Sequence, residues 1–307
     1  MHSHDHDHDH AHEHHHGGSL YWALLLTFGF ALVEALGGWW SGSLALMSDA
    51  GHMLSDSAAL GLAAFAAWVA KHPPSARHSY GFARAEVIAA LLNSILMLLV
   101  IIYIVVEAVQ RLRAPQPVAG GAVMVIALIG LLINVLVAFV LSRGEHTINT
   151  RAALMHVMGD LIGSLAALAA GAVIYFTGWT PIDPILSMVV AALILVSSLN
   201  LLREALHVLM EGVPFHLQLE QVGTEMARME GVQGVHDLHI WNLSSGKVAL
   251  SAHLELAHMD DWPRQLQAVR EMLHDRFDIE HVTLQPEVPQ RIEQPYRVAI
   301  PIYPRQG

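Results

Sequence analysis

The chain contains no cysteine and few charged residues. With no Cys among 307 residues, neither disulfides nor thiolate metal ligands are available. Only 14% of the residues are charged and 7% are aromatic, whereas 54% are hydrophobic and the mean hydropathy is +0.44. This balance is too apolar for an ordinary soluble domain and favours a membrane protein.

The apolar residues are grouped into six long runs. Each run approaches or exceeds the roughly 20 residues that an α-helix needs to cross about 30 Å of hydrocarbon. Six runs in succession argue against the alternative of buried helices in a large soluble core. We therefore expect six transmembrane spans, at Leu20–Trp40, Leu44–Ala70, Ala85–Leu112, Ala119–Leu141, Ala152–Phe176 and Ile185–Leu202.

The positions of Lys and Arg predict how the spans are oriented, because cytoplasmic loops carry an excess of both. If the N-terminus is inside, only Arg111 and Arg113 fall outside. We therefore expect both termini in the cytoplasm and the chain in the cytoplasmic (inner) membrane. The basic residues then on the inner side are Lys71, Arg77, Arg84, Arg143, Arg151 and Arg203.

Residues 1–18 form a low-complexity segment that offers nothing to bury, so a disordered tail is predicted. Nine of the first sixteen residues are His, and four acidic residues are interleaved with them. The tail has no Lys, Arg or apolar core and does not resemble a cleavable signal peptide. Imidazoles in such a tract bind transition metals loosely, which suggests a collector of cytosolic metal. A purification tag or a neutral solvated tail is the alternative.

After Leu202 the composition becomes that of a soluble domain. Residues 19–205 are thus predicted to form the transmembrane domain, 206–290 a cytoplasmic α+β domain and 291–307 a loose tail. The apolar pattern predicts an α-β-β-α-β order of the ferredoxin or metallochaperone type. The predicted elements are helix Leu217–Met229, strands Val235–Leu243 and Lys247–Leu256, helix Trp262–Phe277 and strand His281–Gln285.

A His-x3-Asp pair occurs twice inside the apolar runs, as His52/Asp56 in span 2 and His156/Asp160 in span 5. Residues four apart lie on one helical face, so each pair presents an imidazole and a carboxylate in one direction. Two such helices facing each other would supply two nitrogens and two oxygens, a tetrahedral ligand set of the zinc type. A hydrogen-bonded network between helices is the alternative.

The number of residues between each pair and the end of its span places the two pairs at different membrane depths, since span 2 runs inward and span 5 outward. They can meet only if helix 5 begins before Ala152, near Thr147, or if the membrane there is thinned or invaded by water; we expect the early start. Asp49 lies on the same helical face of span 2 as His52. We expect it either to line the exit path of the metal or to contact a metal ligand without binding the ion itself. The other polar residues of the spans are expected to be structural; they are Glu34, Glu86, Glu107, Asn93 and Asn134.

Charge balance predicts exchange at this site. Zn²⁺ with two carboxylates and two neutral imidazoles is neutral, whereas the emptied site would carry two negative charges at membrane depth. Protons are the natural replacement for the ion. A passive channel could use the same residues, but a four-ligand, charge-matched site should hold ions too tightly for rapid conduction. An intramembrane metalloenzyme would need an open coordination position and a general base.

These residues resemble the cation diffusion facilitator family, most closely its bacterial zinc, cadmium and cobalt exporters. The resemblance spans about residues 19–288 and rests on SLALMSDAGHMLSDSAAL, YGFARAE, His156/Asp160, EGVP and VHDLHIW. It implies a homodimeric metal/proton antiporter of the lipid bilayer that alternates between inward-open and outward-open states. Zinc would be the substrate and also a structural or regulatory ion, with no organic cofactor and no nucleic-acid partner.

The resemblance also implies metal ligands outside the spans. A loop site of some relatives is matched here only by His78, because Phe82 stands where they have a His. In the cytoplasmic domain the relatives' zinc site maps onto His236, His253 and Glu287. Gln285 replaces a further His there, and His239 lies on the other strand face. Ordinary strand histidines remain the alternative at His236 and His253.

In relatives a basic and an acidic residue form an interlock between subunits. Arg84, at the start of span 3, and Glu211, just after span 6, occupy the matching positions. Two unrelated surface charges are the alternative.

Overall fold

The computed structural model describes residues 18–143, 148–244, 246–288 and 303–304. The predicted His-rich tail lies outside this range except for Gly18, which begins the first helix. The chain forms two compact units, one made of the residues up to Gly61 with Asn93–Leu199, the other of Leu62–Leu92 with the residues from Asn200 onward.

Six long helices come first along the chain, as the apolar runs predict. Over the described residues, five of them are long and apolar enough to span a membrane, and the first has a shorter described apolar stretch, Leu25–Ser41. Many of their large apolar side chains are exposed, as surfaces that face hydrocarbon should be. The helices are α1 Gly18–Ser41, α2 Leu44–Ala70, α3 Ala85–Arg113, α4 Gly120–Arg143, α5 Ile148–Thr177 and α6 Ile182–Leu209.

Helix α5 begins at Ile148, four residues before the apolar run that predicted it. The expected early start is therefore confirmed. The added turn is polar, with Asn149, Thr150 and Arg151, so hydropathy alone could not place the helix start there.

The second unit contains the small α+β domain, and its predicted element order is confirmed. Sheet order is β3-β2-β1-β4, with β1 antiparallel to β2 and β3 parallel to β2. The turn between β1 and β2 uses Gly246 at φ 72°. The elements are α7 Leu219–Ala227, β1 Val232–Ser244, β2 Lys247–Leu256, α8 Trp262–Phe277, β3 His281–Glu287 and β4 Tyr303–Pro304.

Both helices of this domain pack on the sheet through one apolar core. Met226 of α7 and Leu273 of α8 share that core with Leu250 and Leu254 of β2. Because strand side chains alternate, His253 and Glu255 project from the opposite sheet face. The helices therefore leave the other face of the sheet to polar side chains.

The tail differs from expectation at one point. Residues 291–307 were expected to be loose, yet Tyr303 and Pro304 pair with Val235 and Gly234 at the free edge of β1. An edge strand offers unpaired backbone groups to any extended segment that reaches it, and a two-residue pairing leaves little sequence signal.

Candidate metal transport site

Helix α2 carries the first His-Asp pair and starts at a well-defined cap. The hydroxyl of Ser43 accepts a hydrogen bond from the Leu46 amide at 3.3 Å, the usual role of a serine that caps a helix. Asp183, buried at the start of α6, accepts hydrogen bonds from the Ser43 hydroxyl at 2.5 Å and from the Leu44 amide at 2.6 Å. This carboxylate ties α6 to the beginning of α2 and so fixes where the following two turns lie.

Two turns further along α2, His52 lies between two carboxylates. Its Nδ1 is 3.3 Å from Oδ2 of Asp56, one turn on in the same helix. Its Nε2 is 4.0 Å from Oδ1 of Asp160 on α5. Asp160 is fully buried, whereas the side chains of His52 and Asp56 keep 18% and 22% of their exposure. Three of the four predicted ligands thus meet across two helices.

The fourth predicted ligand, His156, lies one turn before Asp160 in α5. Its side chain is outside the described residues. Residues at i and i+4 share a helical face, so its backbone position is on the same side of α5 as Asp160.

A second polar group lies beside this site, at the meeting of four helices. Asn134 of α4 donates a hydrogen bond from Nδ2 to the Ser164 hydroxyl at 3.1 Å, and Ser164 of α5 donates to Oδ2 of Asp49 at 3.3 Å. Glu34 of α1 interacts electrostatically with Asp49 and with Asp160. All of these side chains are 0–1% exposed.

The other polar residues of the spans have ordinary structural contacts or none that bears on the site. Glu107 accepts a hydrogen bond from Nε of Arg111, one turn on in α3, at 2.8 Å. Asn93 accepts one from the Ser55 hydroxyl at 3.5 Å. Glu86 lies partly buried in the first turn of α3.

In the cytoplasmic domain, His236, His253 and Glu287 come together. The two histidines are directly opposite each other on β1 and β2, with ring centroids 5.1 Å apart. Glu287 places Oε2 3.1 Å from Nε2 of His236 and Oε1 2.8 Å from Nδ1 of His253. One donor atom from each of the three lies within 4.8 Å of the others, a spacing that one metal ion could bridge.

Glu287 carries the negative charge that a carboxylate needs in order to bind a metal ion. Its partial burial on its own would raise the pKa, but the facing His253 and His236 rings and the hydrogen bonds from Gln285 and His236 outweigh that effect. The pKa of Glu287 therefore lies below its usual value, and the carboxylate is anionic at neutral pH, as a metal ligand must be.

Residues around this trio have other roles. Gln285 donates a hydrogen bond from Nε2 to Glu287 at 3.0 Å. Asp237 adopts a left-handed backbone at φ 52° in a bulge of β1. Its carboxylate lies 3.0 Å from Nε2 of His239 and 3.6 Å from Nε2 of His253. His239 itself is mostly exposed and lies outside the trio.

The predicted loop ligand His78 packs against Phe82, with ring centroids 4.6 Å apart and the rings tilted by 34°. Within the described part of the chain, His78 belongs to no group of three His, Asp or Glu residues whose donor atoms all lie within 4.8 Å of one another. Arg84 and Glu211 do meet within one chain, with Nη2 and Oε1 3.1 Å apart and both side chains substantially exposed.

Sequence reasoning missed part of this arrangement. It treated Glu34 and Asn134 as structural and passed over Ser164, which lies one turn beyond Asp160 on the same face of α5. That i+4 spacing was the available signal. Nothing in the local pattern could have shown that α1 and α4 bring Glu34 and Asn134 to the same place.

Known proteins match nearly the whole chain. Residues 20–210 match the cation efflux transmembrane domain, and residues 214–288 match the cytoplasmic domain of cation efflux proteins. The zinc transporter ZitB of Escherichia coli K12 is 42% identical over 93% of this chain and 92% of its own length.

Other relatives agree. The cadmium, cobalt and zinc/H(+)-K(+) antiporter of Bacillus subtilis is 38% identical over 86% of this chain and 88% of its own. The metal cation efflux system protein CzcD of Cupriavidus metallidurans is 39% identical over 88% and 86%. The solved metal-bound C-terminal domain of that CzcD transporter is 38% identical over 24% of this chain and all of its own, with a TM-score of 0.23. With both domains matched in order and a His-Asp site between its helices, the chain belongs to the cation efflux family, also called the cation diffusion facilitators.

Proposed function

We propose that this protein exports Zn²⁺ from the cytoplasm in exchange for protons, through a site formed by His52, Asp56, His156 and Asp160. The observation that carries the proposal is the position of His52 between the carboxylates of Asp56 and Asp160, at 3.3 Å and 4.0 Å. Ligand atoms bound about 2.1 Å from a tetrahedral zinc ion lie roughly 3.4 Å apart, and the 4.0 Å between Nε2 of His52 and Oδ1 of Asp160 is close to that spacing. Asp56 contacts the other ring nitrogen, Nδ1, so its carboxylate would have to turn toward an ion bound at Nε2.

The donor set favours zinc over harder ions. Imidazole nitrogens suit Zn²⁺, and carboxylates alone would suit Mg²⁺ or Ca²⁺ better. Cd²⁺ and Co²⁺ accept the same donors and are further substrates of this proposal. The names of the relatives, which include zinc, cadmium and cobalt, agree with this range.

Charge supports exchange. Asp160 is fully buried, so the loss of a dication from the site would leave its carboxylate uncompensated in a low-dielectric environment. Protons that take the place of the metal remove this cost. The site then couples the two fluxes by mutual exclusion, and each half of the cycle faces one side of the membrane.

The cytoplasmic domain binds a further zinc ion through His236, His253 and Glu287, and it joins two copies of the chain into a homodimer. The short distances within the trio and the anionic Glu287 support the metal site. The protein lies in the cytoplasmic membrane with both termini inside, because six spans and the distribution of Lys and Arg favour that orientation.

Flux in reconstituted liposomes tests this function. Zinc uptake should be accompanied by opposite proton movement, read with a pH-sensitive dye inside the vesicles. A channel would instead follow the zinc gradient with no proton counterflow, and an enzyme would move neither ion. Proton movement independent of zinc, or zinc movement unaffected by an imposed pH gradient, would contradict exchange.

A further inference from the structure

We propose that Glu34 and Asp49, with the oxygens of Ser164 and Asn134, form a second divalent-cation position one helical turn from the transport site. It deepens the exporter function proposed above and rests on it, since the position would receive the metal that leaves the His-Asp site.

The two sites are consecutive layers between α2 and α5. Asp49 precedes His52 by three residues, and Ser164 follows Asp160 by four. His52 and Asp160 are 4.0 Å apart in one layer, and Asp49 and Ser164 are 3.3 Å apart in the next. The second layer therefore lies one turn before the first along α2 and one turn after it along α5. One helical turn separates the two layers, roughly 4.5–6 Å.

Buried oxygen atoms without partners point to a ligand in the second layer. Glu34 is 0% exposed, and neither of its carboxylate oxygens has a hydrogen-bond partner among the described residues. The amide oxygen of Asn134 is likewise buried and unpartnered within that part of the chain. A buried carboxylate without a partner is costly, so the charge of Glu34 must be neutralised either by a proton or by a bound cation.

The helix surfaces are shaped to admit both carboxylates. A Cβ atom at Gly163 of α5 would overlap Oδ1 of Asp49. A Cβ at Gly130 of α4 would overlap the Phe30 ring and would lie 2.9 Å from Oε1 of Glu34. Since a glycine stands opposite each carboxylate, the two acidic side chains occupy space that any larger residue would fill.

Charge and donor type indicate the class of ion. Once both carboxyls are deprotonated, Glu34 and Asp49 supply two negative charges, which match one divalent cation. Protons would need only the carboxylates, whereas Ser164 and Asn134 add neutral oxygens that suit a coordinated metal. With oxygen donors alone, the position should hold zinc more weakly than the imidazole site, as a step toward release requires.

Cadmium-113 NMR of the full chain in detergent tests this assignment. The other expected metal positions contain imidazole: the His-rich tail, the transport site and the cytoplasmic trio. Cadmium bound only by oxygen resonates upfield of cadmium bound by imidazole nitrogen, so the second position should give its own upfield signal. Glu34→Gln and Asp49→Asn should each remove that signal, or weaken cadmium binding at it at least about tenfold.

Two variants serve as controls. Glu86→Gln makes the same chemical change on a carboxyl outside the cluster and should leave the upfield signal intact. His52→Ala should remove an imidazole-shifted signal and retain the upfield one, and loss of both together would mean a single shared site and overturn the proposal.

Three further results would overturn it. One is a wild-type spectrum with no upfield signal when the imidazole sites are saturated, as expected if Glu34 and Asp49 bind only protons. Another is an upfield signal that survives in both Glu34→Gln and Asp49→Asn, which would come from surface carboxylates. A third is loss of the signal in Glu86→Gln. Zinc flux in liposomes is measured separately, so a wild type that moves no zinc would refute the exporter function without deciding this binding result.

Discussion

Replacing Asp160 with Asn should abolish zinc transport while the protein still folds. Asp160 is fully buried, and its carboxylate lies 4.0 Å from His52. Asn has almost the same shape, so packing is retained, but one of the two negative charges that balance the ion is lost. In the metal-free protein the change removes a buried charge, so its thermal stability should be equal or higher.

The magnitude follows from the lost compensation. Breaking one partner of a buried charge pair costs about 3–5 kcal/mol. Each 1.4 kcal/mol is tenfold in affinity, so zinc binding at the site should weaken roughly 10²- to 10⁴-fold. Alanine at His52, Asp56 or His156 should abolish transport as well, because each change removes one ligand.

Zinc uptake into inverted membrane vesicles measures the effect, with protein amount and melting temperature determined in parallel. Asp260→Asn is the matched control, since Asp260 is an exposed carboxyl in the cytoplasmic domain, and it should transport normally. Uptake within a few-fold of wild type by Asp160→Asn would refute the proposed site. Loss of uptake together with a lower melting temperature would refute the claim that the effect is one of charge.

Three other changes test the remaining parts of the molecule. Deletion of residues 2–16 should leave transport intact at saturating zinc but reduce it when free zinc is scarce, because a His-rich tract raises the local metal concentration. Zinc uptake measured across a range of zinc concentrations tests this prediction. Complete loss of uptake at saturating zinc would contradict it. Arg84→Glu should impair transport or dimer stability, and adding Glu211→Arg should partly restore it, although the exposed pair contributes only about 0–1 kcal/mol. Size-exclusion chromatography and zinc uptake measure the two effects. A double variant that is no better than the worse single variant would argue against an interlock. Glu287→Gln should weaken zinc binding in the cytoplasmic domain about 10–100-fold, and His236→Ala should do the same; unchanged calorimetric titrations of both would exclude that site.

The sequence alone determined the features that depend on local periodicity. Long apolar runs specify membrane helices, because hydrocarbon requires every backbone polar group to be paired within the segment. The i, i+4 spacing of His52 with Asp56 fixed their common helical face before any helix was placed. The alternating strands and the order of elements in the cytoplasmic domain were predicted for the same reason.

Only the tertiary structure decided which faces meet. The pairing of His52 with Asp160, and of Asp49 with Ser164, depends on how α2 packs against α5, and no local pattern encodes that contact. Glu287 reaches the two histidines because β3 pairs in parallel with β2 and continues past Gln285. The placement of Glu34 depends on packing among four helices. Side-chain burial there is set by distant segments, so a residue that looks structural in the sequence becomes part of a site in the fold.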